Sequence, residues 1–510
     1  MACKGDIRGK CKARPFARWG QTKARPIMDI FAVLFCLGLL MFLAFRGVTL
    51  LILAPALAVL AAALTGALPL LATFTQVFMT STGDFIVSFF PLFFLGAIFG
   101  KLMDDSGSAR SIAQWVIARL GTDKAILAVV LCCAVLTYGG VSLFVVAFAI
   151  FPIAAALFRD ADIPKLLIPG TLALGAFTFT MSALPGTPAI QNAIPMPFFG
   201  TTAFAAPVLG IVAGIVMAGL GMAWLNRRAS QAARAGEGYG DHDDAPKPVD
   251  TETHARSQGE GFDINEIDFA MDEKTDSPGF ATAIAPVILV VVTNFLFLQV
   301  VVPQMETGYL AEPLFGQITI EAVRGIWSIV FALTMSILFL LAVNWRRLKS
   351  IKTSLNKGAD AAVLPIFNTA SLVGFGAVIA ALPVFQSLTD AMLGFGEGNP
   401  LVAVAVSVTT LSAITGSASG GMSIALDALG SQFVSLAAAT NTSLEAIHRV
   451  TSVASGALDA LPHNGAVITV LGICGLSHKE AYGDIFVVAV IVPMLALVAV
   501  ILLATFLGGI

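Results

Sequence analysis

Apolar runs of 15 to 25 residues recur along the whole chain, at about 27–45, 48–70, 85–100, 124–138, 141–158, 166–183, 203–224, 281–302, 325–343, 361–383, 400–415, 422–438, 449–474 and 484–507. A chain with so many of them does not fold as a soluble globule, because each run would have to be hidden from water on every side. The hydrocarbon core of a bilayer, roughly 30 Å thick, takes such segments as helices whose backbone hydrogen bonds are satisfied internally. Only 12% of the 510 residues are charged, against about a quarter in soluble domains. Those charges are concentrated: residues 1–26 carry eight Lys/Arg and one acid, and residues 225–280 carry six Lys/Arg and thirteen Asp/Glu. The fold class is therefore an all-α polytopic membrane protein with about 12–14 transmembrane segments. The short alternating segments of a β-barrel do not occur in the sequence.

The net charge of −3 sums a basic tail and an acidic loop, so it implies no nucleic-acid partner; lipid is the implied surroundings, in the inner membrane of a bacterium. Six cysteines (Cys3, Cys11, Cys36, Cys132, Cys133, Cys474) show no CxxC and no metal-ligand spacing and read as small apolar residues. No metal or other cofactor is expected.

Loop charge sets the orientation. The stretch NWRRLKSIKTSLNK (344–357) has five basic residues and no acid, which assigns it to the cytoplasm. Counting spans from there puts loop 225–280 and the amphipathic stretch 101–124 on the same side. The basic tail 1–27 then falls outside, so either the native chain starts at Met28 or segment 48–70, with Pro55, Gly66 and Pro69, does not cross. The tail lacks the form of a secretory peptide. Loop 225–280 (GEGYGDHDDAPKPVDTETH and its flanks) has too little apolar surface to fold and reads as a disordered cytoplasmic linker between two membrane halves, 28–224 and 281–510.

The halves repeat. In the first, a span (85–100) is followed by a segment broken at Tyr138-Gly139-Gly140-Val141-Ser142, one broken at Leu184-Pro185-Gly186-Thr187-Pro188, and a closing span (203–224). In the second, span 361–383 is followed by breaks at Gly416 to Gly421 and at Ser455-Gly456 through Pro462-His463-Asn464-Gly465, then by span 484–507. The first unit starts outside and the second inside, so the repeats are inverted, with helical hairpins or broken helices at the short pairs such as 124–138 and 141–158. Paired Gly/Pro interruptions of this kind point to a transporter's binding site, since freed backbone survives in a bilayer only where it is buried or lines a cavity. The competing reading is packing kinks, because Gly and Pro are common in transmembrane helices.

The stretches GAIFGKLMDDSGSARSIAQWV (96–116), ALPGTPAIQNAIP (183–195) and SGALDALPHNGAVITVLGICGLSHKEAYGDIF (455–486) resemble the gluconate permease family of the ion transporter superfamily, nearest its hydroxybutyrate-type branch. The resemblance covers about residues 28–510 apart from loop 225–280. It implies a secondary transporter that takes up a small hydroxy-carboxylate by symport, usually with protons. The first-half break of gluconate carriers is rich in His and Pro; here it reads MSALPGTPAIQN, without His.

Lys and Arg are absent from 166–226, 358–448 and 450–478, so no cationic side chain is expected at the site. An anion would then be held by half-helix N-termini, with Ser/Thr/Asn side chains reading its hydroxyls. The candidates are Gly139, Gly140, Gly186, Ser417, Ser419, Gly420, Gly421 and Asn464 for backbone N–H groups, with Ser142, Thr187, Gln191, Asn192 and Ser455 as polar side chains. Asp427, Asp459 and His463 are ionisable groups inside the second repeat, where charge costs at least about 2.5 kcal/mol at a helix centre. His463 titrates near neutrality and is the first choice for proton coupling, with Asp459 as partner or alternative carrier. Alternatively, Asp459 caps a half-helix starting near Leu461. Asp84, Lys101, Glu445, His448, Lys479 and Asp484 lie near span ends and read as interfacial.

The expected function is proton-coupled import of a small hydroxy-monocarboxylate, gluconate-like or 3-hydroxybutyrate-like. The alternatives are a Na⁺-coupled carboxylate symporter or a Na⁺/H⁺ antiporter. An intramembrane enzyme with Asp459 and His463 as an acid/base pair is disfavoured because HExxH, a GxSG serine with a base at helical spacing and paired aspartates in a protease context are all missing, and a GxxxxGK[ST] loop for ATP is missing too. A homo-oligomer remains compatible with the sequence.

Overall fold

The computed structural model describes residues 26–46, 48–242, 277–385, 394 and 398–507. The secondary structure described is helical throughout. Nine helices in this set are long and apolar enough to cross a membrane, and four shorter apolar ones (Met28–Ala44, Leu50–Thr65, Pro400–Thr415 and Gly465–Cys474) accompany them. Residues 1–25 of the basic tail and 243–276 of the predicted linker lie outside the described residues.

Several helices outrun their apolar segments. The helical run Leu70–Asp105 begins fifteen residues before segment 85–100. Its polar N-terminal half stays helical because Thr73, Thr75 and Thr82 donate their hydroxyls to carbonyls four residues back, which hides the groups that mark this stretch as a loop in sequence. Ile351–Ala380 starts within the basic loop, and Pro207–Ala235 runs eleven residues into the predicted linker. Tyr239, just beyond it, is docked on the first half: its N–H donates to Asp162 at 3.0 Å, and the Arg159 guanidinium lies 5.2 Å from its ring centre.

That docking fixes the direction of the first short pair. The Arg159–Asp162 end of Leu143–Asp160 sits on the same side as the end of Pro207–Ala235. The other arm, Ala125–Tyr138, starts on that side too, because the preceding helix Ser108–Leu120 bends away from it by 107° and stacks Trp115 on Phe280, ring centres 3.8 Å apart, at the start of the next half. Both arms thus enter and leave on one side; we call them hairpin 1, with its tip at Gly139–Ser142. Helix Lys165–Ser182 and the short helices up to Phe199 cross to the opposite side, where Arg324 donates to the Gly200 carbonyl at 3.0 Å.

In the second half Pro400–Thr415 and Ala418–Thr440 form hairpin 2. It opens to the other side: Asn399 meets Thr505 at the far end of the last helix, and the Glu445 carboxylate accepts Ala206 N–H just beyond the hairpin. Leu444–Ser455 and Gly465–Cys474 then cross as a broken helix, back to the side where Asp484 accepts from Trp224 and Arg228. The hairpins enter from opposite faces, as inverted repeats require.

Burial ranks these parts. The 18-residue window of Lys165–Ser182 is 89% buried and that of Phe280–Gln304 only 28%. The broken helix is central, and the latter, with Val292, Phe295 and Leu296 exposed, presents its surface to lipid.

Candidate functional site

All four breaks border one cavity of about 430 Å³, a volume in the range of small-molecule sites. Hairpin 1 contributes Gly140 and Ser142, and the first broken helix contributes Pro188, Ala189 and Gln191. Hairpin 2 contributes Ser417, Ala418 and Ser419, and the second broken helix Asp459 and Asn464. The walls between them are apolar, with Phe93, Phe144, Phe148 and Leu333.

The second-repeat wall is built from two helix N-termini. Ser417 caps Ala418–Thr440, its Oγ accepting Gly420 N–H at 3.2 Å, and its carbonyl accepts Gly421 N–H at 2.9 Å. The glycine N–H groups expected to meet a ligand are therefore used by the cap, and Ser419 N–H is the one left over. Asn464, not Asp459, caps Gly465–Cys474: its Oδ1 accepts Val467 N–H at 3.0 Å and its Nδ2 donates to Gly416 O at 2.7 Å, tying the two N-termini together. The helices leave the N–H groups of Ser419, Gly465 and Ala466 unused. Two dipole ends, each about half a positive charge, then face the same cavity.

The first-repeat wall is held by a residue that sequence reasoning passed over. Arg449 is fully buried and spreads its guanidinium over the unwound 183–206 region: Nε and Nη2 donate to Ala205 O at 3.1 and 2.7 Å, Nη1 to Ala183 O at 3.0 Å and to Asn192 Oδ1 at 3.1 Å, and Nη2 to Ala203 O at 3.4 Å. His448, expected at an interface with water, is also fully buried, with Nδ1 2.6 Å from Thr201 Oγ1 and Nε2 3.2 Å from Asn192 Oδ1. Ser452 donates to Ser182 O at 2.8 Å, and Tyr138 OH of hairpin 1 donates to Pro185 O at 2.7 Å. The loop carrying Gln191 is thus shaped by the opposite repeat. Arg449 was visible only as the single interruption in a Lys/Arg-free stretch.

The expectation of no cation at the site needs correction. Besides Arg449 behind one wall, Lys101, Arg110 and Lys357 border the cavity itself, together with Asp104, at the end carrying the basic loops. Lys101 pairs with Asp105 at 2.8 Å and Asp104 at 3.7 Å. Asp484, also expected at an interface, is buried.

Of the remaining predicted residues, Gly139 packs on Val287, Gly186 (φ +84°) lies under Phe204, and Thr187 is enclosed in its own turn, where its Oγ1 accepts Ala189 N–H. Gly420 and Gly421 pack on Leu372 and Ser412. Ser455 donates to Ser452 O, and Asn192 serves the Arg449 cluster, donating to Thr187 O and Ala203 O. None of these lines the cavity. His463 is half-buried beside it, its Nε2 3.0 Å from Ala413 O, and Asp427 is exposed on the outer face of Ala418–Thr440.

Inverted repeats whose broken helices and hairpin tips converge on one cavity define a multi-pass membrane transporter. The chain belongs to the family of the uncharacterized transporter YxjC of Bacillus subtilis (strain 168), to which it is 44% identical over 472 residues, covering 91% of this chain and 96% of that protein. It is also 37% identical over 101 residues to the high-affinity gluconate transporter of Escherichia coli (strain K12), a match covering 19% of this chain and 22% of the relative. No protein-family model matches the chain.

Proposed function

We propose that this transporter imports a small hydroxy-monocarboxylate, gluconate-like or 3-hydroxybutyrate-like, by proton symport through alternating access. The observation that carries the reading is the convergence of four breaks from two opposed repeats on one cavity, whose lining includes Asp459 and the caps of two helix N-termini, Ser417 and Asn464. Two half-charges balance about one carboxylate, which suits a monoanion better than a di- or trianion. The apolar walls suit a short carbon chain, and the local similarity to a gluconate transporter supports a polyhydroxy or hydroxy acid.

Asp459 is the proton carrier in this reading. It borders the cavity, so protonation and substrate occupancy act on the same space, whereas His463 is directed to the Ala413 carbonyl. The cavity reaches Lys101, Arg110 and Lys357, the side assigned to the cytoplasm by loop charge, and corresponds to an inward-facing state.

The test is uptake of labelled monocarboxylates by reconstituted vesicles under an imposed pH gradient or an imposed Na⁺ gradient. Proton symport is expected to concentrate a hydroxy-acid only under the pH gradient. Accumulation driven by Na⁺ alone replaces the coupling ion, and cation exchange without any organic anion ends the importer reading. Asp459→Asn is expected to lower pH-driven accumulation at least about tenfold while substrate exchange at equal pH persists; His463→Ala is expected to retain most accumulation.

A further inference from the structure

Threonines on the helices of this protein habitually donate to the carbonyl four residues back. Thr82, Thr171, Thr178, Thr415 and Thr451 all do so, at 2.7 to 2.8 Å. Thr137, the last full turn of hairpin 1 before its tip, does not: its hydroxyl is buried and has no hydrogen-bond partner, and the residue is 4% exposed. Across the cavity junction the two neighbouring amides of the first broken helix differ in the same way. Asn192 donates twice and accepts from both Arg449 and His448, whereas the Gln191 carbonyl oxygen, in a side chain 6% exposed, is buried without a donor. Among the described residues, these two are the cavity-bordering residues that carry a buried polar atom without a partner.

A buried hydroxyl or amide oxygen left unpaired costs stability, and cavity walls keep such groups where a ligand completes them. The position is fixed rather than fortuitous. Tyr138, next to Thr137, is tied to Pro185 O, and Gly140 at the tip packs so closely on Pro188 that a Cβ there would lie 2.9 Å from its ring. Hairpin 1 and the Gln191 loop therefore meet as one preformed part of the cavity wall.

We propose that Thr137 and Gln191 form the subsite for the substrate's hydroxyl group, and so make the transporter select hydroxy-acids over the corresponding plain fatty acids. The Gln191 carbonyl accepts the substrate O–H, and the Thr137 hydroxyl donates to the substrate oxygen, while the carboxylate lies toward Ser419, Gly465 and Ala466. This assignment rests on the carboxylate-importer reading above and adds to it which wall reads which end of the molecule. A site completed by a hydroxyl discriminates against the analogue that lacks it, because the protein's own groups then stay unpaired.

The test uses the full-length protein in proteoliposomes, with labelled 3-hydroxybutyrate as substrate and unlabelled 3-hydroxybutyrate or butyrate as competitor. Wild-type protein is expected to need at least about tenfold more butyrate than 3-hydroxybutyrate for half-inhibition. Thr137→Val and Gln191→Leu, which keep shape and remove the polar atoms, are each expected to raise KM for 3-hydroxybutyrate about tenfold, leave inhibition by butyrate unchanged and erase the preference. Thr137→Ser, which keeps the hydroxyl, is expected to retain it. If both apolar variants are monodisperse and transport with the wild-type preference, the subsite assignment is wrong and the importer reading stands. If wild-type protein takes up no hydroxy-acid, both fall. Should Thr137→Val not fold, Gln191→Leu decides alone.

Discussion

Arg449 shows how one side chain can organise a site it does not line. A guanidinium offers five N–H donors in a rigid fork, and here they serve three carbonyls and one amide oxygen of a segment that has left the helical hydrogen-bond ladder. Two of those acceptors, Ala183 O and Ala205 O, would otherwise be buried unpaired, at about 1–3 kcal/mol apiece, whereas Ala203 O and Asn192 Oδ1 keep Gly186 N–H, Asn192 Nδ2 and His448 Nε2. A lysine brings the same charge but only a single ammonium with three donors, so it cannot cover four acceptors spread over residues 183–205. Arg449→Lys is therefore expected to behave like Arg449→Gln, lowering stability by about 2–4 kcal/mol and transport at least about tenfold; thermal unfolding and initial uptake rate of the purified protein read both. If the lysine variant keeps wild-type uptake, the residue acts through its charge and not through its fork. The sequence offered little sign of this role, because a lone Arg in an apolar stretch looks the same whether it snorkels or is enclosed; only the partner repeat, more than 240 residues away, decides between them.

At the scale of elements, the interruptions were legible and their packing was not. Gly/Pro clusters marked all four breaks, since freed backbone in a bilayer needs such residues, and the hairpin at 124–158 followed from two segments each too short to cross comfortably. Which glycines hold the elements together depends on neighbours far along the fold. Gly421 illustrates the difference: a Cβ there would lie 2.2 Å from Ser412 N and 2.3 Å from its Cα, so the two arms of hairpin 2 approach backbone to backbone where it leaves the tip. No rotamer change relieves that overlap. Gly421→Ala is expected to cost about 1–3 kcal/mol and to open the hairpin tip, read as a lower unfolding temperature and weaker substrate binding. Gly219→Ala, on an exposed face of Pro207–Ala235 with nothing within 4 Å, is the matched control and is expected to be neutral or stabilising by up to about 1 kcal/mol. If Gly421→Ala is as stable as Gly219→Ala, the close approach at Gly421 does not hold the hairpin together.

For the whole molecule, two inverted repeats confer a pseudo-symmetry that the cavity breaks. Hairpin tips and broken helices from both repeats surround it, and among the described residues its lining continues toward Lys101, Asp104, Arg110 and Lys357; on the opposite side the repeats are joined by the Arg449 cluster and by the Glu445 contact to Ala206 N–H. Alternating access then requires that cavity residues be reachable from one side at a time. Ser419, half-buried at the tip of hairpin 2, is a suitable reporter, because the four described cysteines (Cys36, Cys132, Cys133, Cys474) are all buried and give a low background. After Cys3 and Cys11 are changed to Ser, a Ser419→Cys variant is expected to react with a membrane-impermeant thiol reagent added to the face bearing Lys101 and Lys357, at least about tenfold faster than from the other face. A transported monocarboxylate is expected to slow that reaction, since it occupies the same space as the thiol. Reaction at equal rates from both faces, measured as the labelled fraction in oriented vesicles, would mean a continuous pore rather than a gated site, and would overturn alternating access together with the coupling step assigned to Asp459.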